Sequence, residues 1–369
     1  MDYSTISTYG ARYTRLISMP NGRRPEPWQA MTSPLVDRGV SPALLKVDGL
    51  DVRIRTPQGE LHAVRNVSFS LAERETLCLV GESGCGKSLT SLTLMGLLPK
   101  AARRTARTLT FAGHDLLSLS ESKMSKLRGD DVAMIFQEPM TCLNPSMAIG
   151  AQLTEGFLKH GKGSAQEARE RALYLMEKAG IPSPTMRMRQ YPHELSGGLR
   201  QRVMIAMALM CSPRLIIADE PTTALDVTIQ AQILDLLKTL QSDFGMAILL
   251  ITHDLGVVAR VADRVAVMYA GEIVEEGDTL SVFGTPGHPY TQGLLDCVPI
   301  PGRLKPGERL GYIPGQVPSL MSGSAGCMFR NRCTFAMPQC AATSVPLVSG
   351  TAPSHRYRCL LPLTRKKGE

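Results

Sequence analysis

Three short stretches carry side chains whose types and spacing could hold and cleave a polyphosphate. The first, "GESGCGKS" (Gly81 to Ser88), has the form G-x-x-x-x-G-K-[ST]. Glycines at 81, 84 and 86 let the backbone curl until several N–H groups face one centre. A helix starting near Lys87 adds the positive end of its dipole at that point. Lys87 is long enough to reach β and γ phosphates, and the Ser88 hydroxyl is a hard oxygen donor suited to Mg²⁺. With Ser83, Cys85 and Leu89, these positions form the candidate triphosphate cradle.

The second stretch, "RLIIADEP" (Arg214 to Pro221), is an apolar run ending in two acids. Unbroken apolar runs suit strands buried on both faces, and α/β proteins bind ligands at the carboxyl edge of such strands. Asp219 is the candidate for the Mg²⁺ shell, and Glu220 the candidate to orient or deprotonate an attacking water. The rival reading, two solvated acids at a strand end, loses ground once the phosphate loop is considered.

The third stretch, "ELSGGLRQRVMIAMAL", opens with Ser196, Gly197 and Gly198 and continues as an apolar-periodic helix. A serine N-cap followed by two glycines offers free N–H groups to an anion. A nucleotide already held by the first loop has no use for a second helix start in the same molecule. The third stretch is therefore expected to serve a nucleotide held by a partner subunit.

These residues need a scaffold, and its outline is legible. Residues 1–43 are rich in Ser, Thr, Pro and Arg without a sustained period and read as a flexible extension. From Leu45, "LLKVDGLDVRI" and "LHAVRNVSFSL" alternate apolar with polar residues, with a turn expected at "QGE" (58–60). The order strand, loop, helix then recurs to about residue 275, which predicts an α/β domain with a mainly parallel central sheet. Between about 140 and 200, helix-compatible segments such as "AQEARERALYLMEKAG" take over. From Pro286 onward Pro and Gly are frequent and periodicity is lost.

Composition narrows the function classes. At 369 residues and 43% hydrophobic the chain is in the globular range. No run approaches the roughly 18 apolar residues of a membrane span; "VMIAMALMC" (203–211) stops at Ser212, Pro213 and Arg214. The N-terminus has no apolar core of a secretory signal, so a cytosolic address is expected. The net charge of +8 is uneven. Residues 301–369 hold ten Lys/Arg against two acids and residues 1–44 five Arg against three, leaving the middle slightly acidic. A nucleic-acid reading of the basic balance loses most of its support on the main domain.

The positive charge travels with Cys327, Cys333, Cys340 and Cys359, spaced x5, x6 and x18. Cytosolic disulfides are uncommon, so four clustered thiols point to metal. The absence of a C-x2-C knuckle weakens zinc without excluding it. Arg330, Arg332, Arg356 and Arg358 are interleaved and offer charge to an anionic thiolate centre. Cys78, Cys85, Cys142, Cys211 and Cys297 appear singly and read as packing residues.

With "LSGGLRQR" (195–202) following a phosphate loop, the chain resembles the ATP-binding subunits of ABC transporters over roughly residues 45–365. Leu199 stands where the family usually has Gln or Met. The resemblance implies that Gln137 in "IFQEPMTCLNP" contacts Mg²⁺ and links to a membrane subunit. It implies that "TALD" (223–226), ending in Asp226, runs along a dimer seam, and that His253 in "LLITHDL" contacts the γ-phosphate. Ile54 occupies the position where the family commonly stacks adenine on an aromatic ring. The implied fold is a P-loop NTPase of ABC type, with a mixed central sheet, an antiparallel β subdomain, a helical subdomain at about 140–200 and an irregular cysteine-rich tail. The domain spans 44–285 and the tail 286–369.

"GHPYTQGLLDCVPIPG", "IPGQVPSL" and "GCMFRNRCTFAMPQC" narrow the resemblance to the oligopeptide and dipeptide importers. Some members bind a 4Fe-4S cluster through the four tail cysteines, with zinc or unligated thiols the alternatives here. The implied partners are a second homologous ATPase, two transmembrane permease subunits and an extracytoplasmic binding protein, with this chain peripheral on the cytoplasmic face of the membrane. Relatives also serve nickel or glutathione. A rival class, ABC ATPases acting on nucleic acid or ribosomes, usually carries coiled coils or two tandem ATPase units, whereas this chain has one phosphate loop and no sustained heptads.

Overall fold

The computed structural model describes residues 43–223, 226–299, 311–318, 320–321, 325–350 and 352–361. Most of the extension assigned to residues 1–43 lies outside these, as do Ala224 and Leu225 of the "TALD" segment. The strands are β1 (Leu45–Thr56), β2 (Gly59–Leu71), β3 (Thr76–Val80), β4 (Ala102–Thr105), β5 (Thr108–Phe111), β6 (His114–Asp115) and β7 (Val132–Ile135). They continue with β8 (Leu215–Asp219), β9 (Ala247–Thr252), β10 (Arg264–Tyr269), β11 (Glu272–Asp278), β12 (Val348–Ser349) and β13 (Arg356–Tyr357).

Two sheets result. An antiparallel one runs β2-β1-β5-β6 with β4 on β1, and a larger one runs β12-β13-β11-β10-β3-β9-β8-β7. In the second, β10, β3, β9, β8 and β7 are parallel. All carboxyl ends of these five strands therefore lie along one edge. The β1–β2 hairpin turns tightly at Pro57 and Gln58, with Thr56 opposite Gly59. That is one residue earlier than the "QGE" expectation, because proline presets the backbone angle a turn needs.

The parallel strands are buried on both faces, and their parity sorts the core. Leu77, Leu79, Leu215, Ile217, Leu249 and Ile251 pack with Val52, Val64 and Phe69 of the antiparallel sheet. Cys78, Val80, Ile216, Ala218, Ile248 and Leu250 pack with helical residues such as Val203, Ile205, Ile233 and Leu237. The helices Ile149–Lys159, Ala165–Lys178 and Gly197–Ala208 fill the interval between β7 and β8. Ala165–Lys178 begins in a capping box, Ser164 and Glu167 satisfying each other's backbone N–H.

The tail carries more order than its composition suggests. The helices Pro289–Asp296 and Gln339–Ala342 form in it, and β13 pairs with β11, so the tail extends the main sheet. The anchor is Glu275, whose carboxylate accepts from the N–H groups of Gly287 (2.7 Å) and His288 (2.9 Å) and lies 2.8 Å from His355 Nε2. Glu275 and His355 are completely buried. A two-residue strand has no period to read, and this anchor joins residues 80 apart in sequence.

Removing a buried acceptor strands its donors. We expect Glu275→Ala to lower unfolding stability by about 3 kcal/mol or more and to expose the tail to proteolysis. Denaturant unfolding with limited digestion reads both, and an unchanged midpoint would contradict the anchor.

Candidate functional site

The site is assembled at the carboxyl edge of the parallel strands. β3 ends at Val80 and the chain enters the loop Gly81 to Gly86, from which the helix Lys87–Leu94 departs. Gly86 caps that helix at φ 103°, a left-handed backbone that favours glycine. A Cβ there would stand 2.5 Å from the Ala63 carbonyl oxygen, and one on Gly81 would stand 2.1 Å from that of Met268. The loop therefore lies flush on β2 and β10, while Ser83, Gly84 and Ser88 face solvent.

Lys87 is only 4% exposed. Its Nζ donates to the carbonyls of Gly81 (2.7 Å) and Glu82 (2.9 Å) and lies 3.7 Å from Cys85 Sγ. Among the described residues no carboxylate forms an ion pair with it. The Cys85 thiol is buried behind the loop, and burial raises it above its ordinary range. Leu89 packs on the core between the two sheets, as does Ile54.

Ser88 Oγ donates to Asp219 Oδ1 at 3.0 Å. Burial pushes the Asp219 carboxyl above the usual carboxylate range; the Ser88 hydroxyl opposes this and the neighbouring Glu220 charge adds to it. A hydroxyl and a buried carboxylate at this separation fit the hard oxygen donors that Mg²⁺ takes.

Glu220 adopts φ 44° and donates its N–H to the Ile251 carbonyl. Such a backbone is strained for a non-glycine residue and concentrates at functional sites. The turn separates two neighbouring carboxylates, Asp219 going to Ser88 and Glu220 to a different set. Gln137 Nε2 donates to Glu220 Oε2 at 3.1 Å, Thr223 Oγ1 to the same oxygen at 2.8 Å, and His253 Nδ1 lies 3.3 Å from Oε1. Glu220 is largely enclosed, its side chain 13% exposed, while that of His253 is 61% exposed. Three residues singled out far apart in sequence thus meet. The amide nitrogen of Gln137, the residue expected at the cation, is on Glu220. Thr223 was read only as the first residue of the "TALD" segment and not as a partner of Glu220, although its place three residues after that acid offered the signal.

Ser196 caps the helix Gly197–Ala208 by accepting from the Leu199 N–H, and Ser196 and Gly197 are exposed. Gly198 faces Ile229, leaving 3.2 Å for a Cβ. Asp226 uses its carboxylate to cap the helix Val227–Phe244, accepting from Ile229 N–H at 2.9 Å.

The tail brings Cys327, Cys333, Cys340 and Cys359 around one small, largely apolar cavity of about 20 Å³, with Arg330 and Arg358 also lining it. Burial pushes the Cys327 thiol up to about 11, and the other three sulfurs add to the push. The four share a cavity, yet among the described residues no three His, Cys, Asp or Glu side chains are arranged to hold a single metal ion.

Comparison with known proteins agrees with this geometry. Residues 64–223 match the ABC transporter family and residues 274–340 the C-terminal region of oligopeptide/dipeptide transporters. The chain is 50% identical over 320 residues to the dipeptide transport ATP-binding protein DppD of Bacillus subtilis, covering 86% of this chain and 94% of that one. It is 48% identical over 336 residues to the oligopeptide transport ATP-binding protein OppD of Escherichia coli, covering 91% and 98%. The solved dimer of MJ0796, a bacterial ABC transporter cassette, superposes with a TM-score of 0.58 at 28% identity, over 64% of this chain and 98% of that chain.

The loop's fit to its surroundings generates a graded expectation. Gly84 has open space where a Cβ would go, whereas Gly86 meets the Ala63 carbonyl. Gly86→Ala should weaken nucleotide binding by about tenfold or more, from strain of about 1–3 kcal/mol, and Gly84→Ala by less. Titration with a fluorescent ATP analogue orders the two, and the reverse order would contradict the close fit.

Proposed function

The chain belongs to the oligopeptide/dipeptide family of ABC transporter ATP-binding proteins, and on that footing we propose that it hydrolyses ATP to drive peptide uptake through partner membrane subunits. The observation that carries this reading is the convergence of Gln137, Thr223 and His253 on Glu220, beside the Ser88 and Asp219 pair.

In this reading the inward N–H groups of residues 81–88 and the Lys87 ammonium receive the β and γ phosphates. Ser88 and Asp219, joined by Gln137, would hold Mg²⁺, which when bound neutralises charge on the phosphoryl oxygens. Glu220 orients a water against the γ-phosphorus and takes its proton. The bond from the γ-phosphorus to the bridging oxygen breaks, leaving ADP and phosphate. His253, exposed beside Glu220, reports the γ-phosphate through its contact.

The exposed helix start at Ser196, Gly197 and Gly198, with the adjoining Asp226, serves the nucleotide of a second, homologous ATPase subunit, while that subunit's equivalent closes on this one. Among the described residues no helix is long and apolar enough to cross a membrane. In this reading the permease pair is supplied by other chains and this subunit sits at the cytoplasmic face, with substrate delivered by an extracytoplasmic binding protein. The segment from Gln137 into the helical layer is the coupling surface. The peptide class rests on relatives named for dipeptide and oligopeptide transport.

The four tail thiols are proposed as the ligands of a 4Fe-4S cluster. The four sulfurs lining one cavity and the flanking Arg330 and Arg358 support a thiolate-ligated anionic centre. Anaerobically purified protein should be brown and hold iron and acid-labile sulfide in equal amounts. A colourless sample holding zinc would overturn the cluster.

For the reaction, Glu220→Gln should keep ATP affinity within a few-fold while turnover falls by about 10²–10⁴. Steady-state hydrolysis and equilibrium binding read the two separately. Near-normal turnover would remove Glu220 from its role.

A further inference from the structure

Arg332 belongs to the cysteine-rich tail, one residue before Cys333, yet its guanidinium reaches the phosphate loop 250 residues earlier in the chain. All five of its N–H groups are engaged. Nη1 donates to Glu82 Oε2 (2.5 Å) and the Tyr269 hydroxyl (3.4 Å), and Nη2 to Glu82 Oε1 (2.9 Å) and the Ile313 carbonyl (3.3 Å). Nε donates to the Pro314 carbonyl at 2.8 Å. The Tyr269 and Phe329 rings lie 5.7 and 5.9 Å from the guanidinium carbon, and the side chain is 4% exposed.

Glu82 is the second residue of the phosphate loop and is gripped at three points. Arg332 holds its carboxylate in a two-point fork, its N–H donates to the Tyr290 hydroxyl at 2.9 Å, and its carbonyl accepts from Lys87 Nζ. A guanidinium does not lose its proton, and a buried one needs its carboxylate. Glu82 is the only carboxylate paired with Arg332 among the described residues. Moving Glu82 outward would strand that charge and loosen the carbonyl that orients Lys87.

We propose that Arg332 is a positioning residue of the ATP site: acting through Glu82, it holds the phosphate loop in its nucleotide-receiving curl, so that the placement of the tail sets affinity for ATP. The inference rests on the reading of Gly81 to Ser88 as the ATP cradle. Arg332 touches no reacting atom, and Glu220, His253 and Gln137 lie outside its contacts. Its effect therefore falls on binding rather than on the chemical step.

The test compares Arg332→Gln, Glu82→Gln, the double variant and Arg332→Lys in the full chain, using Mg-ATP. Each single glutamine variant should raise the Kd and KM for ATP by about tenfold, with the single-turnover rate at saturating ATP within about threefold of wild type. The double variant should be no worse than either single. Arg332→Lys should recover only part, because one ammonium does not span both carboxylate oxygens as the fork does. Should Arg332→Gln fail to fold, Glu82→Gln carries the same test from the loop side. Wild-type affinity in Glu82→Gln, or additive losses in the double variant, would overturn the proposal. Lys87→Ala separates the two readings: if it binds ATP as wild type does, the cradle assignment itself is wrong. If it alone loses ATP, only the role of Arg332 fails.

Discussion

The buried ammonium of Lys87 is the constraint around which the rest of the site is arranged. It sits at the start of a helix, where backbone N–H groups already concentrate positive potential, and among the described residues no carboxylate forms an ion pair with it. Two carbonyl oxygens of its own loop satisfy its donors without cancelling its charge. Such a centre is completed by an anion from outside. The tight approach of Gly81 and Gly86 to the Met268 and Ala63 carbonyls fixes where that anion must lie.

Everything else places groups around that point. Parallel strands bring Val80, Asp219 and Thr252 to one edge of the sheet, so loops distant in sequence open onto the same space. The left-handed backbone at Glu220 then parts two adjacent acids, Asp219 toward Ser88 and Glu220 toward Gln137, Thr223 and His253. From the other side the tail is tied to the sheet by Glu275 and to the phosphate loop by Arg332. The cysteine cavity is thus wired into the nucleotide site through packed aromatic rings and a two-point ion pair.

Much of this was legible before any coordinates. The loop from Gly81 to Ser88, the acids at 219 and 220 and the helix start at Ser196 are contiguous patterns whose chemistry follows from spacing. The apolar alternations marked the antiparallel strands and the buried runs the parallel ones. What sequence could not supply were contacts between remote residues whose types are common. Arg332 is one arginine among several in a basic tail, and Tyr290 one tyrosine in a Pro- and Gly-rich stretch; neither pattern points to residue 82. The tail read as irregular because β12 and β13 are two residues each and take their order from β11. The bond from the Gln137 amide to Glu220 likewise joins residues 83 apart and had no sequence signal.

The central claim is that Lys87 and an opposing serine–glycine helix start close on one triphosphate from two molecules. The direct measurement is the structure of the transporter assembly arrested with Mg-ATP bound. The account predicts that Lys87 Nζ leaves the Gly81 carbonyl for the γ-phosphate, and that the helix start at Ser196 meets the γ-phosphate of the neighbouring subunit's nucleotide. A nucleotide seated with Lys87 still turned onto its own loop, or with Ser196 facing solvent, would contradict it.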